Sequence, residues 1–204
     1  MTAIVDYGVG NLFSLSYSLR HIGVEAEVTR EAERLRRADR IILPGVGAFG
    51  DARDKLDETG LVPVLAEEAE KKPLLGICLG MQLLLERGFE YGIHPGLGLV
   101  EGEVVSLREN LTEQGCKVPH MGWNSLRFLQ REDPLLREVE EGEYVYYVHS
   151  FYARSCEKST VAVSDYGGVA VPGIVHRGNV WGCQFHPEKS GDTGLRILRA
   201  FAAL

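Results

Sequence analysis

Short apolar runs alternate with stretches of helical periodicity through the first 85 residues, a pattern that predicts a parallel sheet with helices on both faces. Residues 3–6, 24–28, 40–43 and 74–77 read as the strands. Residues 11–22 put Leu12, Leu15 and Leu19 on one stripe, while 31–37, 51–58 and 61–71 mix polar and apolar positions at helical spacing. A further helix carrying Met81, Leu84 and Leu85 follows the last strand. From residue 97 the texture changes to short strands at 102–107, 123–129, 144–151, 161–164, 169–175 and 180–185. Turns such as Tyr166-Gly167-Gly168 and His176-Arg177-Gly178-Asn179 separate them, which predicts antiparallel structure appended to the parallel core. Residues 191–204, with Leu195, Leu198 and Phe201 at helical spacing, close the chain as a helix. The expected fold is α/β: a doubly wound parallel core sheet, helices on both faces, and additional antiparallel strands in the C-terminal half. No repeat or low-complexity segment is visible, and 204 residues suit one domain, 1–204, that removes roughly 70% of its unfolded surface from water.

Composition narrows the function classes. Lys and Arg number 22 against 29 Asp and Glu, a net charge of −7, which argues against nucleic-acid binding by phosphate neutralisation. The opening Met1-Thr2-Ala3-Ile4-Val5 reaches Asp6 too soon for a secretory signal, and no run of about 18 apolar residues is present to span a bilayer. A soluble cytoplasmic protein, away from membranes, is the expectation. Cys78, Cys116, Cys156 and Cys183 have neither metal-ligand nor disulfide-framework spacing and suggest a reducing compartment. Neither a metal nor a cofactor is expected, and the acidic stretch 138–143 reads as solvated surface.

Three segments carry chemistry. The run Pro73-Leu74-Leu75-Gly76-Ile77 leads into Cys78, which has Gly76 and Gly80 two positions away on either side. A sharp strand-to-helix turn there would present the thiol at the sheet end, the glycines would relieve crowding, and the helix N-terminus would favour a thiolate. The bland alternative is a small buried cysteine at a junction. In Gln184-Phe185-His186-Pro187-Glu188, an extended backbone puts His186 and Glu188 on one face, and Pro187 pushes His186 toward that conformation. Alone, the two also fit a solvated loop pair. With Cys78 as nucleophile, His186 as base and Glu188 as orienting carboxylate, they supply the three roles of acyl transfer. Strand 40–43 ends in Pro44-Gly45-Val46-Gly47, where an oxyanion loop belongs in a doubly wound sheet, although glycine turns after strands are common.

With these elements in view, the chain resembles the class I, triad-type glutamine amidotransferases. The resemblance runs over nearly the whole length, through Asp6-Tyr7-Gly8-Val9-Gly10-Asn11, Pro44-Gly45-Val46-Gly47, Gly76-Ile77-Cys78-Leu79-Gly80-Met81-Gln82, His120-Met121-Gly122-Trp123-Asn124, Tyr147-Val148-His149-Ser150 and Gln184-Phe185-His186-Pro187-Glu188-Lys189-Ser190. The first, fourth and last of these are similar to the glutaminase subunits that serve histidine biosynthesis. The resemblance implies that Cys78 attacks the glutamine side-chain amide, that ammonia leaves, and that water hydrolyses the glutamyl thioester. It implies an oxyanion hole from the backbone of Leu79 with Val46 or Gly47, and a substrate-holding role for Gln82. It also implies a heterodimer with a (β/α)8-barrel cyclase, which uses the ammonia to make imidazole glycerol phosphate and an aminoimidazole carboxamide ribonucleotide. Asn11, Trp123 and Lys189 are the interface candidates, against a helix N-cap, a core tryptophan and a solvated charge as their ordinary roles.

His120 and His149 fall in family-like segments and read first as hydrogen-bonded structural histidines, while His21, His94 and His176 have no motif around them. The rivals are a glutaminase of another synthase, a cysteine peptidase or hydrolase of similar fold, and a regulatory subunit with an incidental cysteine. Copurification with a barrel cyclase separates the first. Glutamate release from glutamine without peptide cleavage separates the second. Labelling of Cys78 by a glutamine-analogue electrophile separates the third.

Overall fold

The computed structural model describes residues 1–204. Its first half alternates as expected: β1 (Thr2–Val5), α1 (Leu12–His21), β2 (Ala26–Thr29), α2 (Ala32–Arg37), β3 (Arg40–Leu43), α3 (Phe49–Glu58), α4 (Val62–Ala69), β4 (Leu74–Ile77) and α5 (Leu79–Leu83). Every residue of β1 and β4 is buried, because helices cover both faces of these strands. Alternate strand residues feed two separate cores: Ala3, Val5, Ile41 and Leu43 meet α2 to α5, while Ile4 and Ile42 meet Leu15 and Leu19 of α1. Asn11 starts α1 by accepting the Ser14 NH at 3.2 Å. Helix α5 is shorter than the expected pattern, because the carbonyls of Leu83, Leu84 and Leu85 accept backbone NH groups of residues 97–100 and cannot continue a helix.

The second half contains β5 (Arg87–Gly88), β6 (His94–Pro95), β7 (Glu103–Ser106), α6 (Leu107–Asn110), β8 (His120–Ser125), β9 (Arg127–Phe128), β10 (Tyr144–His149), β11 (Phe151–Arg154), β12 (Thr160–Tyr166), β13 (Val169–Arg177), β14 (Val180–Cys183) and α7 (Gly191–Ala202). The antiparallel strands expected in the C-terminal half are present, and three of them continue the central sheet itself. One eight-stranded sheet runs β2-β1-β3-β4-β14-β13-β12-β9. It is parallel from β2 to β14 and antiparallel beyond. Strand β14, counted from its pattern among the antiparallel ones, lies parallel to β4 with Cys183 opposite Ile77. Apolar periodicity reports that a strand is buried but not which neighbour it has. The segments 123–129 and 144–151 each divide in two, since the chain changes sheets at Leu126 and at Ser150. Strands β8 and β10 form a separate ribbon, and β11-β7-β5-β6 a small sheet. Glu143, expected to be solvated, instead accepts from the Thr193 hydroxyl at 2.7 Å and pairs with Arg196, tying its loop to α7. No helix is long and apolar enough to cross a membrane.

Candidate active site

Cys78 stands alone between β4 and α5 at φ 54°, ψ −110°, a conformation that a non-glycine residue holds only when its surroundings impose it. The imposing contacts are backbone on backbone. A Cβ on Gly80 would lie 1.9 Å from the Leu43 carbonyl oxygen, one on Gly76 2.7 Å from the Gly80 carbonyl, and one on Gly45 2.7 Å from the Gly80 nitrogen. The glycines flanking the cysteine therefore serve close approach, as the sequence suggests. The Cys78 NH donates to the Cys183 carbonyl at 2.7 Å, which fixes the turn to β14. Helix α5 has only five residues, so the expected pull of the helix N-terminus on the thiol reduces to a few local NH groups.

His186 keeps the extended backbone that a following proline favours, at φ −97°, ψ 99°. Glu188 does not: Pro187–Lys189 forms a 3-10 turn, correcting the expected extended pair. The turn still delivers the carboxylate to the ring, with His186 Nδ1 2.8 Å from Glu188 Oε1. Because a carboxylate accepts, the Nδ1 proton is fixed there, and His186 Nε2 is left buried with no protein partner. Burial opposes the imidazolium, but Cys78 and Glu188 beside the ring outweigh it and hold His186 up at about 9. The turn is anchored to β10, since the His186 NH donates to the Tyr146 carbonyl at 2.9 Å and Ser190 Oγ accepts the Tyr146 NH at 2.9 Å.

Both groups open into a cleft of about 300 Å³. Val46, Gly47, Leu79 and Gln82 line it with Cys78 and His186, as their sequence positions suggest. The NH groups of Val46 and Gly47 have no acceptor within the protein. Leu79 is the first residue of α5, a position whose NH a helix leaves unpaired. Gln82 is more constrained than expected: both amide hydrogens are used, on the Phe151 carbonyl at 2.9 Å and on Gln184 Oε1 at 3.0 Å. What it retains for a ligand is its own carbonyl oxygen.

Sequence reasoning missed Glu90, Pro119 and much of the wall formed by residues 148–151. Glu90, the one carboxylate lining the cleft, also accepts the Phe49 NH at 2.8 Å at the start of α3. No local motif marks it. The Tyr147-Val148-His149-Ser150 segment did stand out in the sequence, without a role for its backbone. His149 donates from Nδ1 to the Phe151 carbonyl at 2.9 Å, so its Nε2 must accept, and His120 Nδ1 donates to it at 2.9 Å. Burial lowers His120 to about 4, and burial together with the neighbouring His120 lowers His149 to about 3. The pair is thus a neutral, hydrogen-bonded brace, with His149 in the cleft wall and His120 bonded to it from outside the lining, the structural reading favoured from sequence.

Of the interface candidates, Asn11 caps α1 and borders a narrow recess with Val46, His186 and Glu188. Trp123 is 55% exposed, which removes the core alternative. It meets Tyr146 edge-on across the β8–β10 ribbon, with centroids 5.9 Å apart. Lys189 is exposed in the 3-10 turn beside His186, so its ordinary role as a solvated charge still fits.

A family model described as glutamine amidotransferase class-I matches residues 3–203. Imidazole glycerol phosphate synthase subunit HisH of Bacillus cereus is 52% identical over 202 residues, spanning 98% of this chain and 93% of that one. The subunit HisH of Caldanaerobacter subterraneus subsp. tengcongensis is 46% identical over 206 residues, spanning 100% and 98%. Among solved structures, a chain of PurLQS from Thermotoga maritima superposes with a TM-score of 0.74 at 23% identity, covering 98% of this chain and 96% of that one.

Proposed function

Because the chain belongs to the class-I glutamine amidotransferase family, we propose that it is the glutaminase subunit of an imidazole glycerol phosphate synthase and supplies ammonia in histidine biosynthesis. The observation that carries the chemistry is the buried His186–Glu188 pair, which leaves Nε2 free at the mouth of the Cys78 elbow. In this reading Cys78 Sγ bonds to the side-chain carbonyl carbon of glutamine, its proton passing to His186 Nε2. The imidazolium, stabilised by Glu188, gives that proton to the amide nitrogen as the C–N bond breaks, and ammonia leaves. Water then loses a proton to His186 and attacks the thioester, and the sulfur departs to leave glutamate. The oxyanion of each tetrahedral intermediate meets the NH of Leu79 and of Val46 or Gly47. Gln82 Oε1 and Glu90 are the acceptors for the substrate's α-ammonium group.

The reading extends to one domain, 1–204, working in the cytoplasm as a heterodimer with a (β/α)8-barrel cyclase. Asn11, Trp123 and Lys189 lie on the cyclase side, next to the catalytic turn. An assay of glutamine hydrolysis and of imidazole glycerol phosphate formation, with the barrel cyclase present, tests the reading. Cys78→Ala is expected to abolish glutamate release and glutamine-dependent synthesis while synthesis from added ammonia persists. Glutamate release by that variant at the parent's rate refutes the nucleophile, and absence of any complex with the cyclase refutes the partner.

A further inference from the structure

Gln184 is fully buried at the end of β14 and has no part in the chemistry described above. Parallel pairing sets Cys183 opposite Ile77, so the next residue, Gln184, comes abreast of Cys78. Its amide orientation is dictated by a chain of bonds that begins at an obligate acceptor. The Phe151 carbonyl fixes which end of the Gln82 amide is NH2, at 2.9 Å. That NH2 also donates to Gln184 Oε1 at 3.0 Å, and a flipped Gln184 would set NH2 against NH2. Gln184 Nε2 must then face the other way, where it lies 3.8 Å from Cys78 Sγ.

We propose that Gln184 is a fixed hydrogen-bond donor to the nucleophilic sulfur, and that Gln82 acts as its orienting residue as well as lining the substrate cleft. The role rests on the reading of Cys78 as the nucleophile. A donor with both its position and its polarity locked favours negative charge on sulfur, both before attack and again when the thioester collapses and sulfur departs. Beyond the few backbone NH groups at the start of α5, the groups facing the sulfur offer no equivalent. The Val148 carbonyl, 3.9 Å away, accepts rather than donates. His186 exchanges protons with the substrate during turnover, His149 has both ring nitrogens committed, and Glu90 in the cleft wall carries negative charge. Tyr7 sits close enough for Cys78 to raise its phenol further beyond the effect of burial, but its hydroxyl donates to the Pro44 carbonyl at 2.7 Å. Glu188 stands behind His186 and reaches the sulfur only through it.

The test reads the sulfur directly. Alkylation of Cys78 by iodoacetamide is followed across roughly pH 5 to 10 in the full chain. Peptide mass spectrometry keeps the half-buried Cys116 separate. Gln184→Met fills the site without a donor. Gln184→Glu preserves the bond accepted from Gln82 but turns a carboxylate oxygen toward sulfur, so it tests the donor even where methionine disturbs folding. Both variants are expected to need higher pH than the parent, Gln184→Met by about one unit, equivalent to about tenfold slower alkylation below the midpoint. Gln82→Met, which unlocks the amide, is expected to fall between them and the parent, and to add nothing in combination with Gln184→Met. A parent-like profile for either Gln184 variant overturns the donor role. Glutamine turnover plays no part in this readout, so its outcome is distinguishable from that of Cys78→Ala, which decides the glutaminase reading.

Discussion

At the scale of single residues, base and orienting group are separable. In the proposed mechanism His186 moves the proton, so His186→Ala is expected to lower glutamine hydrolysis by about 10²-fold or more. Glu188→Gln still offers an oxygen to Nδ1 and should retain more activity; a variant lacking His186 that turns over like the parent contradicts the triad. Gly80→Ala tests the elbow differently. Its Cβ would enter the Leu43 carbonyl at 1.9 Å, where only backbone can move, so a loss of at least about 1–3 kcal/mol in denaturant unfolding is expected. Cys78, Gly76 and Gly80 were legible because crowding at a strand-to-helix turn acts between neighbours in sequence. Glu90 and Gln184 were not, since each owes its place to a neighbour more than 40 positions away or to a sheet pairing that no local pattern encodes.

At the scale of elements, the loop after β3 is pinned at one end and free at the other. The Pro44 carbonyl accepts the Tyr7 hydroxyl at 2.7 Å, and Gly45 packs against Gly80 and Leu79 too closely to rotate. Freedom of the backbone beside Val46 is therefore confined to its Gly47 side, where φ is 104° and nothing lies near an added Cβ. If this loop supplies the oxyanion donor proposed above, a peptide reorientation at Val46–Gly47 redirects it and is worth about 10²- to 10³-fold in rate. Glutamate production should rise by a large part of that range from the chain alone, to the chain with cyclase, to the complex with an acceptor-site ligand. Equal rates in all three discard the loop as a switch. Strands 40–43 and 74–77 emerge with the bounds read from sequence, because proline and glycine punctuate their apolar runs. The sheet changes at Leu126 and Ser150 were hidden inside patterns that looked continuous.

At the scale of the molecule, buried histidines set opposite limits on stability. His186 has its folded pKa raised, so its contribution is complete below about pH 6.5 and is lost as pH rises through about 9. His120 and His149 have theirs lowered, so their contribution is present above about pH 6.5 and is lost as pH falls toward about 4 and about 3. Unfolding by denaturant should show a maximum near neutrality, with an acid limb of about 1.4 kcal/mol per pH unit for each of the two histidines. A flat profile between about pH 6.5 and pH 5 would show that the His120–His149 brace is not neutral in the folded state. The strand order carries a further consequence, one of timing. A chain emerging from the ribosome N-terminus first can build β2-β1-β3-β4, but β4 then has a bare outer edge, apolar on both faces, with Cys78 at its tip. The strand that covers that edge, β14, leads straight into His186. If Cys78 and His186 act as proposed, closing the sheet and arming the thiol are one event, and a half-made chain holds the nucleophile without the means to spill ammonia.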